Sequence, residues 1–198
     1  YNFNREEADL TKSLVHPYVP RFPRHVSYDL VLFGSWRRKG VYVGEKQIAS
    51  PGSYPVAGFN FAPMYNLNYK LRFGVSLDGV YDGSANVYTE DALVEYDAGS
   101  GSSRRKFLVP GIQNQLALGL SGRAEYVMPF FTIGVGLGTN VLGRGDLRGL
   151  YQVFALKINV TRSSFLHIGY NLQDFQTPNY LMLGLGFRFN NKYPKVRH

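Results

Sequence analysis

With 198 residues and no cysteine, the chain can hold one domain with a substantial core, but no disulfide, thiolate nucleophile or cysteine-ligated zinc. Its formal net charge of +8 suits an anionic partner (nucleic acid, a phospholipid surface or phosphorylated lipopolysaccharide) without choosing among them. Aromatics at 15 % and 22 glycines favour strands and tight turns, and no apolar run reaches the ~18 residues of a transmembrane helix, which leaves a membrane barrel open because only alternate strand residues need be apolar.

Tyr1-Asn2-Phe3-Asn4 resembles Phe187-Arg188-Phe189-Asn190 and reads as the tail of a preceding strand. Residues 1–24 otherwise read as a linker, with Pro17, Pro20 and Pro23 spaced to forbid a stable ladder and room for a helical turn over Glu6 to Leu14. From His25 the period is two. The first strand places Val26, Tyr28, Leu30, Leu32 and Trp36 on one face and Ser27, Asp29, Ser35 and Arg37 on the other. A second runs from Tyr54 to Leu67, and a third sets Leu71, Phe73, Val75, Leu77 and Tyr81 against Arg72, Ser76 and Asp78. The fourth sets Leu116, Leu118, Leu120, Ala124 and Tyr126 against Gln115, Ser121, Arg123 and Glu125; the fifth, Phe131 to Leu137, alternates bulky residues with glycine. The sixth carries Phe154, Leu156, Ile158 and Val160 opposite Lys157 and Asn159. The seventh carries Leu166, Ile168 and Tyr170 opposite His167, Gly169 and Asn171. The eighth sets Leu181, Leu183, Leu185, Phe187 and Phe189 opposite Met182, Gly184, Gly186 and Arg188, and residues 191–198 form a basic tail.

Eight such segments predict an antiparallel up-and-down β-barrel over residues 25–190. Short connections near 66–70, 128–129 and 161–164 alternate with long ones near 38–53, 82–112, 140–150 and 172–179, the asymmetry of outer-membrane barrels with short periplasmic turns and long external loops. Tyr28, Trp36, Tyr54, Tyr65, Tyr69, Tyr81, Tyr126, Phe130, Tyr151, Phe165, Tyr170, Tyr180 and Phe189 fall near strand ends, where interfacial girdles sit. Asp29, Arg72, Asp78, Arg123, Glu125, Lys157 and Arg188 project into a narrow lumen, either as a hydrogen-bonded network or, in the sharper reading, as an ion pathway.

Two basic triplets, Arg37-Arg38-Lys39 and Arg104-Arg105-Lys106, fall in external loops, either to bind lipid phosphates through charge-assisted hydrogen bonds or to keep the loops soluble. Gly134-x-Gly136-x-Gly138 lies inside a strand and lacks the helix of a nucleotide loop. Arg144-Gly145-Asp146 is a loop tripeptide of a kind that turns favour in any case. His16, His25, His167 and His198 show no metal-ligand spacing, so no metal or cofactor is expected. His167 is the weak catalytic candidate, with Ser163, Ser164, Asn171 and Asp174 nearby in sequence.

The run Phe165-Leu-His-Ile-Gly-Tyr-Asn-Leu-Gln-Asp-Phe-Gln-Thr-Pro-Asn-Tyr-Leu-Met-Leu-Gly-Leu-Gly-Phe-Arg-Phe189 resembles the C-terminal end of acyloxyacyl hydrolase-like outer-membrane proteins, related to the lipid A 3-O-deacylase (PagL-type) family. Arg24 to Asp29, Phe61 to Asn66 and Leu77 to Asn86 carry the same resemblance, which covers nearly the whole chain. It implies a bacterial outer-membrane location, contact with lipid and lipopolysaccharide and not nucleic acid, and acyl-ester hydrolysis where a His-x-Ser-Asn segment on a lipid-facing strand meets an acidic partner. Here His167 has its counterpart, but Gly169 stands for the serine and Tyr170 for the asparagine, with Asn171 one residue late. The expectation is therefore a lipopolysaccharide-contacting barrel without hydrolytic competence in this chain, which resembles the C-terminal part of longer members. The rivals are a lipid A acyl-ester hydrolase, which would release acyl chains, and a soluble all-β binding module, which would stay monodisperse without detergent.

Overall fold

A computed structural model describes residues 21–38, 40–43, 46–49, 52–97, 102–175 and 177–193. In chain order the strands are β1 (His25–Arg37), β2 (Gly40–Val43), β3 (Lys46–Ala49), β4 (Tyr54–Asn66), β5 (Leu71–Asp82), β6 (Tyr88–Asp97), β7 (Ser102–Leu108), β8 (Leu116–Val127), β9 (Phe131–Leu142), β10 (Leu150–Asn159), β11 (Ser164–Gln173) and β12 (Thr177–Phe189). Eight of them close an antiparallel barrel in the order β1-β12-β11-β10-β9-β8-β5-β4, with β4 returning to β1. Closure pairs both edges of every barrel strand, so the barrel itself leaves no edge to template aggregation. Strand lengths of 10 to 13 residues meet the ~9–11 tilted residues that cross a hydrocarbon core.

The alternation sorts side chains as the period predicts. Leu32, Val75, Leu120 and Leu185 are 52–60 % exposed on the outer wall, while Ser27, Asp29, Arg72, Ser76 and His167 are at most 2 % exposed inside. A soluble protein would not surround a polar interior with an apolar exterior; the inversion suits a lipid solvent.

Three sequence expectations need correction. The connection between β11 and β12 spans only residues 174–176, so the fourth long connection is a tight turn. A bulge at Asn171/Leu172 lets β12 begin at Thr177 and take Pro178 into the ladder opposite Leu172, so the proline does not delay the strand. Two of the long connections are not plain loops, because they contain the hairpins β2–β3 and β6–β7. Finally, Tyr151, Phe165 and Tyr180 are 5 %, 1 % and 7 % exposed and face the lumen, not the girdle. Each occupies the inward parity of its strand, and for two of them glycine makes the space: a Cβ at Gly138 would lie 2.6 Å from the Tyr151 ring, and one at Gly186 would overlap Phe165. The linker residues up to 20 and the tail residues 194–198 lie outside the described residues.

Both described chain ends lie at the short-turn end. The Phe22 ring packs 4.8 Å from Tyr69 and 5.0 Å from Tyr193, and the Lys192 N–H donates to His25 Nε2 at 3.2 Å. Arg162 donates to the Tyr193 carbonyl at 2.7 Å, fixing the chain across that mouth.

Candidate functional site

Cross-strand register assembles the lumen charges. Asp29 on β1 lies directly opposite Arg188 on β12, and Arg72 on β5 directly opposite Glu125 on β8. Lys157 on β10 joins them from the far wall. Asp29 accepts from Arg188 Nε at 2.9 Å, from Lys157 Nζ at 2.8 Å and from Arg72. Glu125 accepts from Arg72 Nε at 2.6 Å and pairs with Lys157 Nζ at 2.6 Å. Phe165 lies beneath two of these cations, 5.0 Å from Lys157 Nζ and 5.2 Å from the Arg188 guanidinium carbon.

A second tier surrounds Asp78, which accepts from Arg123 Nη2 at 2.9 Å, Ser121 Oγ at 2.6 Å, Tyr151 OH at 2.6 Å and Asn60 Nδ2 at 2.7 Å. At the long-connection rim Arg37 Nη1 donates to Asp82 Oδ2 at 3.0 Å, and Ser84 Oγ donates to Asp82 Oδ1 at 2.7 Å. Every carboxylate oxygen of Asp29, Glu125 and Asp78 thus has a donor, as buried charge requires. Of the two lumen readings, the bonded network is the arrangement found.

The glycine run of β9 fits this interior, since a Cβ at Gly136 would come 2.7 Å from Arg123 Cδ. Arg144-Gly145-Asp146 is tied into the rim. The Asp146 carboxylate accepts the Asn86 N–H at 3.1 Å, and Asn86 Nδ2 donates to the carbonyls of Asn114 at 2.6 Å and Arg144 at 2.9 Å. Asn86 holds a positive φ of 56° to do so. Asn86→Ala should therefore loosen this rim by about 1–2 kcal/mol, read as roughly tenfold faster amide exchange at Asp146 and Leu147 with the β1–β12 amides unchanged. Unchanged exchange at the rim would contradict the assigned role.

His167 is 2 % exposed in the lumen, opposite Lys157, and neither ring nitrogen has a hydrogen-bond partner. Ser164 is instead engaged with Thr161 at the short-turn end, and Asp174 lies at the opposite end of β11. Gly169 also faces inward, and a Cβ there would meet Met182 Cε at 2.6 Å and His167 Nε2 at 2.7 Å. A serine at 169 would require the end of the Met182 side chain and the His167 ring to shift. Of the triplets, Arg37 is committed to Asp82 and Asn179, Arg38 is exposed, and Lys39 lies outside the described residues. Arg104, Arg105 and Lys106 fall on β7, with Arg104 paired to Glu95 and Arg105 to Val94 in the ladder.

The acyloxyacyl hydrolase C-terminal domain family matches the chain over residues 26–191, which takes in all eight barrel strands but for His25. The chain belongs to this family. Together with the apolar outer wall, that membership makes it an outer-membrane β-barrel. No curated protein matches it. Similar solved structures include Ail, the attachment invasion locus protein of Yersinia pestis, at 16 % identity over 84 % of this chain and 100 % of that one with a TM-score of 0.43. Ail in complex with the heparin analogue sucrose octasulfate matches at 14 % identity, 85 % and 100 % coverage and a TM-score of 0.41. Neisserial surface protein A matches at 15 % identity, 85 % and 99 % coverage and a TM-score of 0.39.

Two features of this acyloxyacyl hydrolase-family barrel escape sequence reading. The aromatic contacts at the short-turn mouth join residues far apart in the chain, Phe22, Tyr69 and Tyr193, and only register brings them together. Gln152 occupies an outward position of β10, opposite the exposed Leu137. Extending the alternation of the sixth segment back from Phe154 by one step would have exposed that polar residue.

Proposed function

We propose that this outer-membrane barrel contacts lipopolysaccharide through basic residues at its external end and does not hydrolyse acyl esters. The observation that carries the second half is the inward placement of both His167 and Gly169. A histidine without a hydrogen-bond partner, sealed from the outer wall and two residues from a glycine that carries no hydroxyl, does not activate a nucleophile toward a lipid ester. The first half is supported by charge: the net +8 and the triplets Arg37-Arg38-Lys39 and Arg104-Arg105-Lys106, whose guanidinium and ammonium groups suit lipid phosphates. Arg38 and the β7 triplet are the residues assigned to that contact, since Arg37 already serves Asp82.

Purified protein in vesicles, incubated with lipid A, should release no free fatty acid by mass spectrometry, and Gly169→Ser should remain inactive. Lipid A binding should fall about tenfold when Arg104, Arg105 and Lys106 become glutamine, and should weaken with salt. Acyl release by the wild-type chain would establish the enzyme reading instead. Binding indifferent to both salt and the triple substitution would remove the lipopolysaccharide contact.

A further inference from the structure

The ionic tier nearest the short turns is not neutral. Arg72, Lys157 and Arg188 share the carboxylates of Asp29 and Glu125, three cations against two anions. Further toward the long connections the charges match, Arg123 with Asp78 and Arg37 with Asp82. A positive charge in excess, held among packed strands, is costly unless an anion lies near it.

Arg188 marks where that anion would sit. Its Nε and Nη2 are held by Asp29, whereas Nη1 has no partner and is not sealed from solvent. The same side chain, only 6 % exposed, lines a pocket of about 590 Å³ at the short-turn mouth. Lys70 from the β4–β5 connection and Arg162 from the β10–β11 connection line it too, and no acidic residue does among the described residues. Arg162 is steadied by its Nη2 bond to the Tyr193 carbonyl, which leaves its other nitrogens for a ligand. Val127 and Met128 supply an apolar side. The surroundings repeat the sign. Arg21, Arg24, Lys70, Arg162 and Lys192 are exposed at this end, and no exposed Asp or Glu accompanies them among the described residues. Asp146 and Asp174, both exposed, lie at the opposite end.

We propose that this mouth binds a phosphate group, with Arg188 as the buried anchor and Lys70 and Arg162 supplying the outer contacts. Guanidinium and ammonium groups both suit phosphate oxygens, and three cations from separate elements exceed what a single carboxylate takes up. The pocket has room and an apolar side for a substituent, so the ligand is an organic phosphate. The headgroup of an anionic glycerophospholipid and a free phosphate ester present this same chemistry.

The test titrates the full chain, in maltoside micelles that contain no phosphate, with glycerol phosphate and with dihexanoyl phosphatidylglycerol, followed by phosphorus NMR. Saturable binding of at least one, at an ionic strength fixed with chloride, is the expected result. Tighter binding of the lipid names the headgroup as the source, and tighter binding of glycerol phosphate names a free ester; both support the site. Lys70→Gln and Arg162→Gln, at exposed turns, should each weaken binding about tenfold with circular dichroism unchanged, as for one lost charge-assisted hydrogen bond. Lys157→Met leaves the pocket lining intact but balances the tier, and should weaken binding about threefold through charge alone. No saturable binding, acetate binding as tightly as phosphate, or equal affinity in the Lys70→Gln/Arg162→Gln double variant would overturn the proposal. So would binding that appears only when Glu6, Glu7 and Asp9 become amides, which would give the mouth to the chain's own carboxylates.

Discussion

Replacing Asp29 with alanine is expected to destabilise the barrel by about 3–5 kcal/mol, the range for removing one partner of a buried ionic cluster. Asp29 is 1 % exposed and accepts from Arg72, Lys157 and Arg188, so its loss leaves cations contributed by three strands facing one another in a site of low dielectric. Asp29→Asn keeps an acceptor but loses the charge and should fall between. Adding Lys157→Met to Asp29→Ala should recover part of the loss, because it removes one of the stranded charges. The single tryptophan, Trp36, provides the probe: urea unfolding in micelles, followed by its fluorescence, gives the midpoints. Arg38→Ala, exposed and just beyond the end of β1, serves as the control. A loss below about 1 kcal/mol for Asp29→Ala would mean that the network fills the lumen without stabilising it.

Gly186→Val should cost about 3 kcal/mol by overpacking. A Cβ at Gly186 would overlap the Phe165 ring, which is 1 % exposed and held against Lys157 and Arg188. The ring therefore cannot swing away without disturbing the ionic tier. Phe165→Ala alone opens a cavity and should cost a similar amount. The decisive quantity is the coupling: the double variant should be more stable than the sum of the two losses by about 1–2 kcal/mol, since the added methyls occupy the vacated space. Strict additivity would show that Gly186 is required for some reason other than Phe165.

The barrel was legible because its period-two segments carry Arg72, Glu125, Lys157 and Arg188 at the opposite parity from Leu71, Tyr126, Phe154 and Phe187. Parity is a local property, and it survives into the structure unchanged. Aromatic residues at strand ends divide by the same parity: Tyr151 and Tyr180 alternate with the outward Leu150 and Leu181 and face the lumen, which nearness to a strand end alone does not reveal. Room for Tyr151 comes from Gly119 and Gly138 on other strands, and that pairing is a matter of register. The β11–β12 turn is shorter than the span 172–179 that the alternation suggests, because a bulge at Asn171/Leu172 admits Pro178 to the ladder. The hairpin β6–β7 does not stand out in the sequence, because the alternation of Val94, Glu95 and Tyr96 sits in a charged stretch that reads as loop. At the candidate site, the sequence shows the missing serine at Gly169, but that His167 has no partner is a property of the packed lumen alone.

A spin-label scan along β12 in vesicles tests most directly whether the outer wall faces lipid. The chain has no cysteine, so single cysteines at Leu181, Met182, Leu183, Leu185, Phe187 and Phe189 can each be labelled cleanly. Leu181, Leu183, Leu185, Phe187 and Phe189 should collide readily with oxygen dissolved in the bilayer and little with a water-soluble nickel complex, most strongly near Leu185, while Met182 is shielded from both. High nickel accessibility at Leu183 and Leu185 would contradict the account.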